Sequence, residues 1–85
     1  MITQVFSVFD TRAGVYMNPM YFANKGYAIR SFEDAVNEHT HQFHRHAADY
    51  TLVHLGQYDD LTGKFELLEF PVVLINGLEC EKKEG

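Results

Sequence analysis

The sequence predicts an α+β domain of ββαββ order, an antiparallel sheet of about four strands with one helix packed on one face. Three observations predict it. Residues 3–22 and 50–70 each hold two runs rich in Val, Leu, Phe and Tyr around a polar turn. The two turns share one pattern of aromatic, Asp, three residues and Gly, first at Phe9-Asp10 to Gly14 and again at Tyr58-Asp59 to Gly63. Between the two hairpins one stretch switches to helical spacing.

Thr3 to Phe9 has the Val and Phe content of a strand. In the first turn, Asp10 can hydrogen-bond the local backbone and Gly14 can take the positive φ that closes the loop; Asp59 and Gly63 do the same in the second. Val15 to Phe22 returns as a strand that Pro19, lacking an N–H, confines to an edge or breaks. Asn24 suits a helix N-cap, because its side-chain oxygen can accept from a free first-turn amide. Ala28, Ile29, Phe32, Ala35 and Val36 then share one helix face, so a helix is expected over about 25–38, with Arg30 and Asp34 spaced to pair. Residues 39–48 read as a polar loop pinned by Phe43. A strand from Tyr50 to Tyr58 and a return from Phe65 to Phe70 follow. Pro71 interrupts, and Val72 to Ile75 forms a short strand or lies on the core. Residues 1–78 thus make a single domain, and 79–85 a charged tail expected to be disordered.

At 85 residues with a single cysteine, Cys80, the chain has a small core and no internal disulfide to support it. Its strands carry large apolar residues on both faces, as in Val5, Phe6, Val8 and Phe9, and one helix covers one face only. A homo-oligomer, dimer or higher, is therefore expected. The opening residues lack a basic segment and no apolar run approaches the roughly 18 residues of a membrane span, so a soluble intracellular protein with no membrane contact is expected. The 12 Asp and Glu against 7 Lys and Arg argue against a broad basic face for duplex DNA but leave room for a local patch.

The basic residues outside the tail are Arg12, Lys25, Arg30, Arg45 and Lys64. If the two hairpin tips point the same way, an oligomer gathers Arg12 and Lys64 with the helix cations, and Tyr16, Tyr21 or Tyr58 is available for base stacking. His39, His41, His44 and His46 could hold a metal, but their spacing matches no zinc motif, and a solvated loop is the expected reading. Ser7 and Ser31 lie in regular elements and no serine, cysteine or threonine pairs visibly with a histidine, so neither catalysis nor a cofactor is expected.

Three segments in order carry a family resemblance. They are Ala28 to Asn37, Phe43 to Leu52 with His46, Asp49 and Tyr50, and Leu55 to Lys64 with Gly56, Asp59 and Gly63. Together with the Val5-Phe-Ser-Val-Phe-Asp10 opening, this resembles the small nonstructural protein of gokushoviruses, single-stranded DNA phages of the Microviridae. The family usually has Pro where this chain has Ala47, a departure that loosens the loop. The resemblance implies a non-enzymatic protein of host cytoplasm acting in viral single-stranded DNA replication or packaging. It implies weak DNA binding or, as the alternative, binding to the replication initiator or procapsid without touching DNA. Arg30 and Lys64 are the carried-over pair expected at a partner contact.

Overall fold

The structure is a computed structural model that describes residues 1–81. Its elements run β1 (Ile2–Asp10), β2 (Val15–Tyr16), β3 (Met20–Phe22), α1 (Lys25–Val36), α2 (Gln42–Arg45), a 3-10 turn (Ala47–Asp49), β4 (Tyr50–Asp59), β5 (Lys64–Asn76) and α3 (Gly77–Cys80). One antiparallel sheet has the order β2-β1-β4-β5, with β3 beside β2 on the same edge of β1. This is the expected α+β arrangement, with β1 paired to β2 and β3 on one edge and to β4 on the other.

The helix follows its sequence signals. Asn24 caps α1 by accepting from the Tyr27 amide, and Ala28, Phe32 and Val36 are buried. They meet Phe6, Val8, Tyr50 and Leu52 on one sheet face, with Phe43 pinned against Phe32 and Tyr50 at ring distances of 5.6 and 4.5 Å. The polar loop is more structured than expected, because the His41 ring nitrogen caps α2. Arg30 and Asp34 do not pair: among the described residues the ion pair within reach is between the Met1 amino group and Asp60. Holding two long exposed side chains together gains little against their entropy.

The C-terminal boundary differs from the expectation of a tail starting at residue 79. Glu79 and Cys80 belong to α3, where Asn76 and Glu79 form a capping box and Cys80 is buried. Asn76 also donates to the carbonyls of Ala48 and Tyr50 and to Thr51 Oγ1, and Asn37 donates to the Cys80 carbonyl at 3.0 Å. These polar ties outweigh the charged composition of the segment. Residues 82–85 lie outside the described residues.

Strand β5 also departs from expectation. It continues past Pro71 to Asn76 instead of stopping at Phe70. The register jumps from Gly56↔Leu67 to His54↔Val72, so residues 68–71 have no partner on β4. Pro71, with no N–H to give a ladder, sits in that slack. Val72 and Val73 stay in the sheet and are exposed, so they cover nothing on the open face. That face is nevertheless not bare: Val5, Ser7 and Val53 on it are buried, and Ser7 Oγ donates to the Met17 carbonyl. The exposed apolar surface concentrates on β5 instead.

Candidate nucleic-acid interface

The two turns are built alike. Asp10 Oδ1 accepts from the amides of Arg12 and Ala13, Asp59 Oδ1 accepts from Leu61, and Gly14 and Gly63 both sit at φ +72°. They do not point the same way. Ile2 pairs with Asp59 at one end of β1 and Asp10 with Tyr50 at the other. The tips are thus separated by the length of β1, about 26 Å at a strand's rise. The antiparallel pairing of β1 with β4 forces this: the turn that follows β1 and the turn that follows β4 leave opposite ends of the pair. Arg12 and Lys64 are therefore not gathered within one chain.

Each end has its own character. At the Asp10 end, Arg12 shares an open hollow with Asp10, His46, Asp49 and Tyr50, and Arg45 ends α2 nearby. Two carboxylates line that hollow, which disfavours a phosphate. Tyr50 is a neutral phenol there, its pKa pushed up by burial and then by Asp10 and Asp49.

The Ile2 end carries exposed aromatic side chains. Tyr21 pairs with Val5, and Tyr58 pairs with both Thr3 and Phe65. Odd residues of this part of β1 face away from α1, since Phe6 packs in the helix-side core. Tyr21, Tyr58 and Phe65 therefore form a row across the open face, with ring centroids 6.0 Å apart for Tyr21–Tyr58 and 4.7 Å for Tyr58–Phe65. Gly56 helps to clear the space: it sits between Val5 and Leu67 with φ +155°, where a Cβ would strike the Glu66 carbonyl. Beyond Tyr21, a groove of about 460 Å³ opens between β3 and α1, lined by Tyr21, Phe22, Tyr27, Arg30, Ser31 and Asp34. Tyr27 is 57% exposed there. Lys25 opens the same helix. Lys64, next to Phe65 in the chain, turns to the opposite face, where it shares a hollow with Ile2, Gln57, Asp59 and Glu66. Asp60 is occupied by the Met1 amino group, which removes one free carboxylate from this end.

Of the residues singled out in the sequence, Tyr58 joins the row with Tyr21 and Arg30 lines the groove beside it, with Lys25 close in the chain, whereas Lys64 lies on the opposite sheet face with Asp59 and Glu66. Arg12 and Arg45 belong to the far end, and Tyr16 is there too, packed on Phe9 at 4.6 Å. Tyr27 and Phe65 escaped notice, because nothing in local sequence distinguishes an exposed aromatic from a core one.

The histidines divide by role. His41 caps α2, while His44 bonds the Val36 carbonyl through Nδ1 at 2.9 Å and stacks on His39. Among the described residues no group of three or more His, Cys, Asp or Glu side chains is placed to hold a metal. His54, inside the sheet, sets Nε2 against Gln4 Oε1 and the Gly56 carbonyl and stacks on Phe6. Burial, with Glu33 and Glu79 nearby, pushes the Cys80 thiol up to about 11, so it stays protonated and unreactive at neutral pH.

Comparison with known proteins gives one match. The family model described as Phage ORF5 protein matches residues 3–80. No curated protein matches. No solved structure matches either.

Proposed function

The chain belongs to the phage ORF5 protein family, and we propose that it is a non-enzymatic phage protein of host cytoplasm, of the gokushovirus nonstructural type, that binds single-stranded DNA weakly during replication or packaging. The observation that carries the DNA contact is the row Tyr21, Tyr58 and Phe65 on the open sheet face, with Arg30 in the groove beside Tyr21. Unpaired bases stack on exposed aromatic rings, and a few flanking cations hold the backbone. The net charge of −5 keeps such binding weak and salt-sensitive.

The test is fluorescence anisotropy with a labelled single-stranded oligonucleotide across a salt series. Arg30→Ala should weaken binding alike for all sequences, flattening the log–log salt slope by about 0.7. Tyr58→Ala should cost roughly 1–3 kcal/mol per stacked base. Arg12→Ala, at the far end, should change little.

A second reading has its own support. The acidic balance and the exposed apolar side chains of β5 suit a module that binds the viral replication initiator or procapsid. No DNA binding at about 50 mM salt with tens of micromolar protein would leave that reading alone.

A further inference from the structure

We propose that β5 is a self-association edge: it pairs antiparallel with β5 of a second copy about a two-fold axis at Phe70, perpendicular to the sheet. Strand β5 is the outermost in the order β2-β1-β4-β5, so its outer edge has no strand neighbour among the described residues. It is also where the apolar surface lies. Phe70 is 70% exposed, Leu67 68% and Val73 66%, with Phe65, Leu68 and Val72 also exposed. Together these six expose on the order of 600 Å², taking roughly 150–200 Å² per side chain. These side chains alternate between the two faces, so pairing along the edge buries part of that area on each face. A monomer rarely shows this much apolar surface without a use for it.

The occupant is argued from the strand itself. Residues 64–76 centre on Phe70, so full overlap of two copies puts the axis there, and because Pro71 gives no ladder bond the pairing rests on the flanks 64–67 and 72–76. That register sets Leu67 opposite Val73 of the partner subunit and Leu68 opposite Val72 of the partner subunit. Leu67 and Val73 lie on the same sheet face, since Leu67 pairs with Gly56 opposite Val5, and Val73 pairs with Val53 opposite Ser7. They therefore meet as a cross-strand apolar pair. Glu66 and Glu69 meet no like charge. An axis at Glu69 would set two carboxylates face to face, which is unfavourable. A slip to an axis between residues is barred, because a perpendicular two-fold requires opposed residues to share a face. The same axis turns both open faces, with their aromatic rows, to one side of the assembly.

The experiment reads mass and cross-linking without DNA, so its failure is separable from failure of the DNA reading. Sedimentation equilibrium at about 50 µM should give roughly twice the chain mass of 9.8 kDa. Phe70→Glu should return the monomer with unchanged circular dichroism, because Phe70 is exposed and contributes little to the fold of one chain. Phe70→Cys should form a disulfide-linked dimer on mild oxidation, since opposed Cα atoms lie about 4.5–5.5 Å apart in an antiparallel pair, within disulfide reach. Wild-type protein, whose Cys80 is buried, should not cross-link. A wild-type monomer would overturn the proposal and leave β5 to a different protein. A dimer that survives Phe70→Glu would move the interface elsewhere, and a dimer in which Phe70→Cys fails to cross-link would overturn the register.

Discussion

Replacing Asn76 by Ala removes one side chain that ties the end of the sheet to the chain's last helical turn. Its Oδ1 accepts from the Leu78 amide, and its Nδ2 faces the carbonyls of Ala48 and Tyr50 at 3.2 Å and Thr51 Oγ1 at 2.9 Å. The cap contributes about 1 kcal/mol. The amide group has two hydrogens for three acceptors, so at most two full bonds are lost, each worth about 0.5–1.5 kcal/mol net. Asn76→Ala should therefore destabilise by about 2–4 kcal/mol. In a domain of this size that lowers Tm by roughly 10–25 °C. Urea denaturation followed by circular dichroism measures it. Asn76→Asp keeps the cap acceptor and loses both donors, while Glu79→Ala removes only the other half of the capping box. The three values should rank with Asn76→Ala well above Glu79→Ala. A loss below about 0.5 kcal/mol for Asn76→Ala would refute the reasoning, since it would mean α3 contributes nothing to the fold.

Further outcomes follow from other contacts. Gly14→Ala and Gly63→Ala should each cost about 1–2 kcal/mol and by nearly equal amounts, because both sit at φ +72° with open space around the new methyl; clearly unequal costs would show that the turns are not equivalent. Gly56→Ala should cost more than either, as its methyl meets the Glu66 carbonyl and lies 2.8 Å from Leu67 Cα, and the loss should appear as faster hydrogen exchange along the β4–β5 ladder. The Cys80 thiol is held protonated in the fold, so native protein binds more protons than unfolded protein between its ordinary pKa, near 9, and about 11. Stability should fall as pH rises through that window, by about 3 kcal/mol at most, and the extra slope should vanish in Cys80→Ala.

Local signals named most of the fold. Asn24 and the Ala28–Phe32–Val36 stripe set α1, and the paired Asp and Gly residues set both turns, because each of these effects acts over a few residues. Three features acted over longer range and were not legible. The opposite directions of the turns follow from β1 pairing antiparallel with β4, a pairing choice between residues some 40 to 57 positions apart. The order of α3 depends on Asn76 finding carbonyls of the segment before β4, which composition does not reveal. The aromatic row was half legible: Tyr21 and Tyr58 stood out as tyrosines, but their neighbour Phe65 read only as the first residue of the return strand. Only the register places its ring on the open face.

The β1–β4 pairing that joins the two hairpins also sets an order of assembly. The β4–β5 hairpin closes across four residues, 60 to 63, whereas β1 meets β4 only after a loop of 39 residues between Asp10 and Tyr50 is closed. The longer closure costs about 2 kcal/mol more in chain entropy. The second hairpin should therefore form early and wait with two bare edges, the inner one on β4 and the outer one on β5. Until β1 arrives, either edge can recruit a second chain. Refolding should accordingly lose yield as protein concentration rises, and pulse-labelled β4–β5 amides should gain protection before those of β1; simultaneous protection would rule this sequence out.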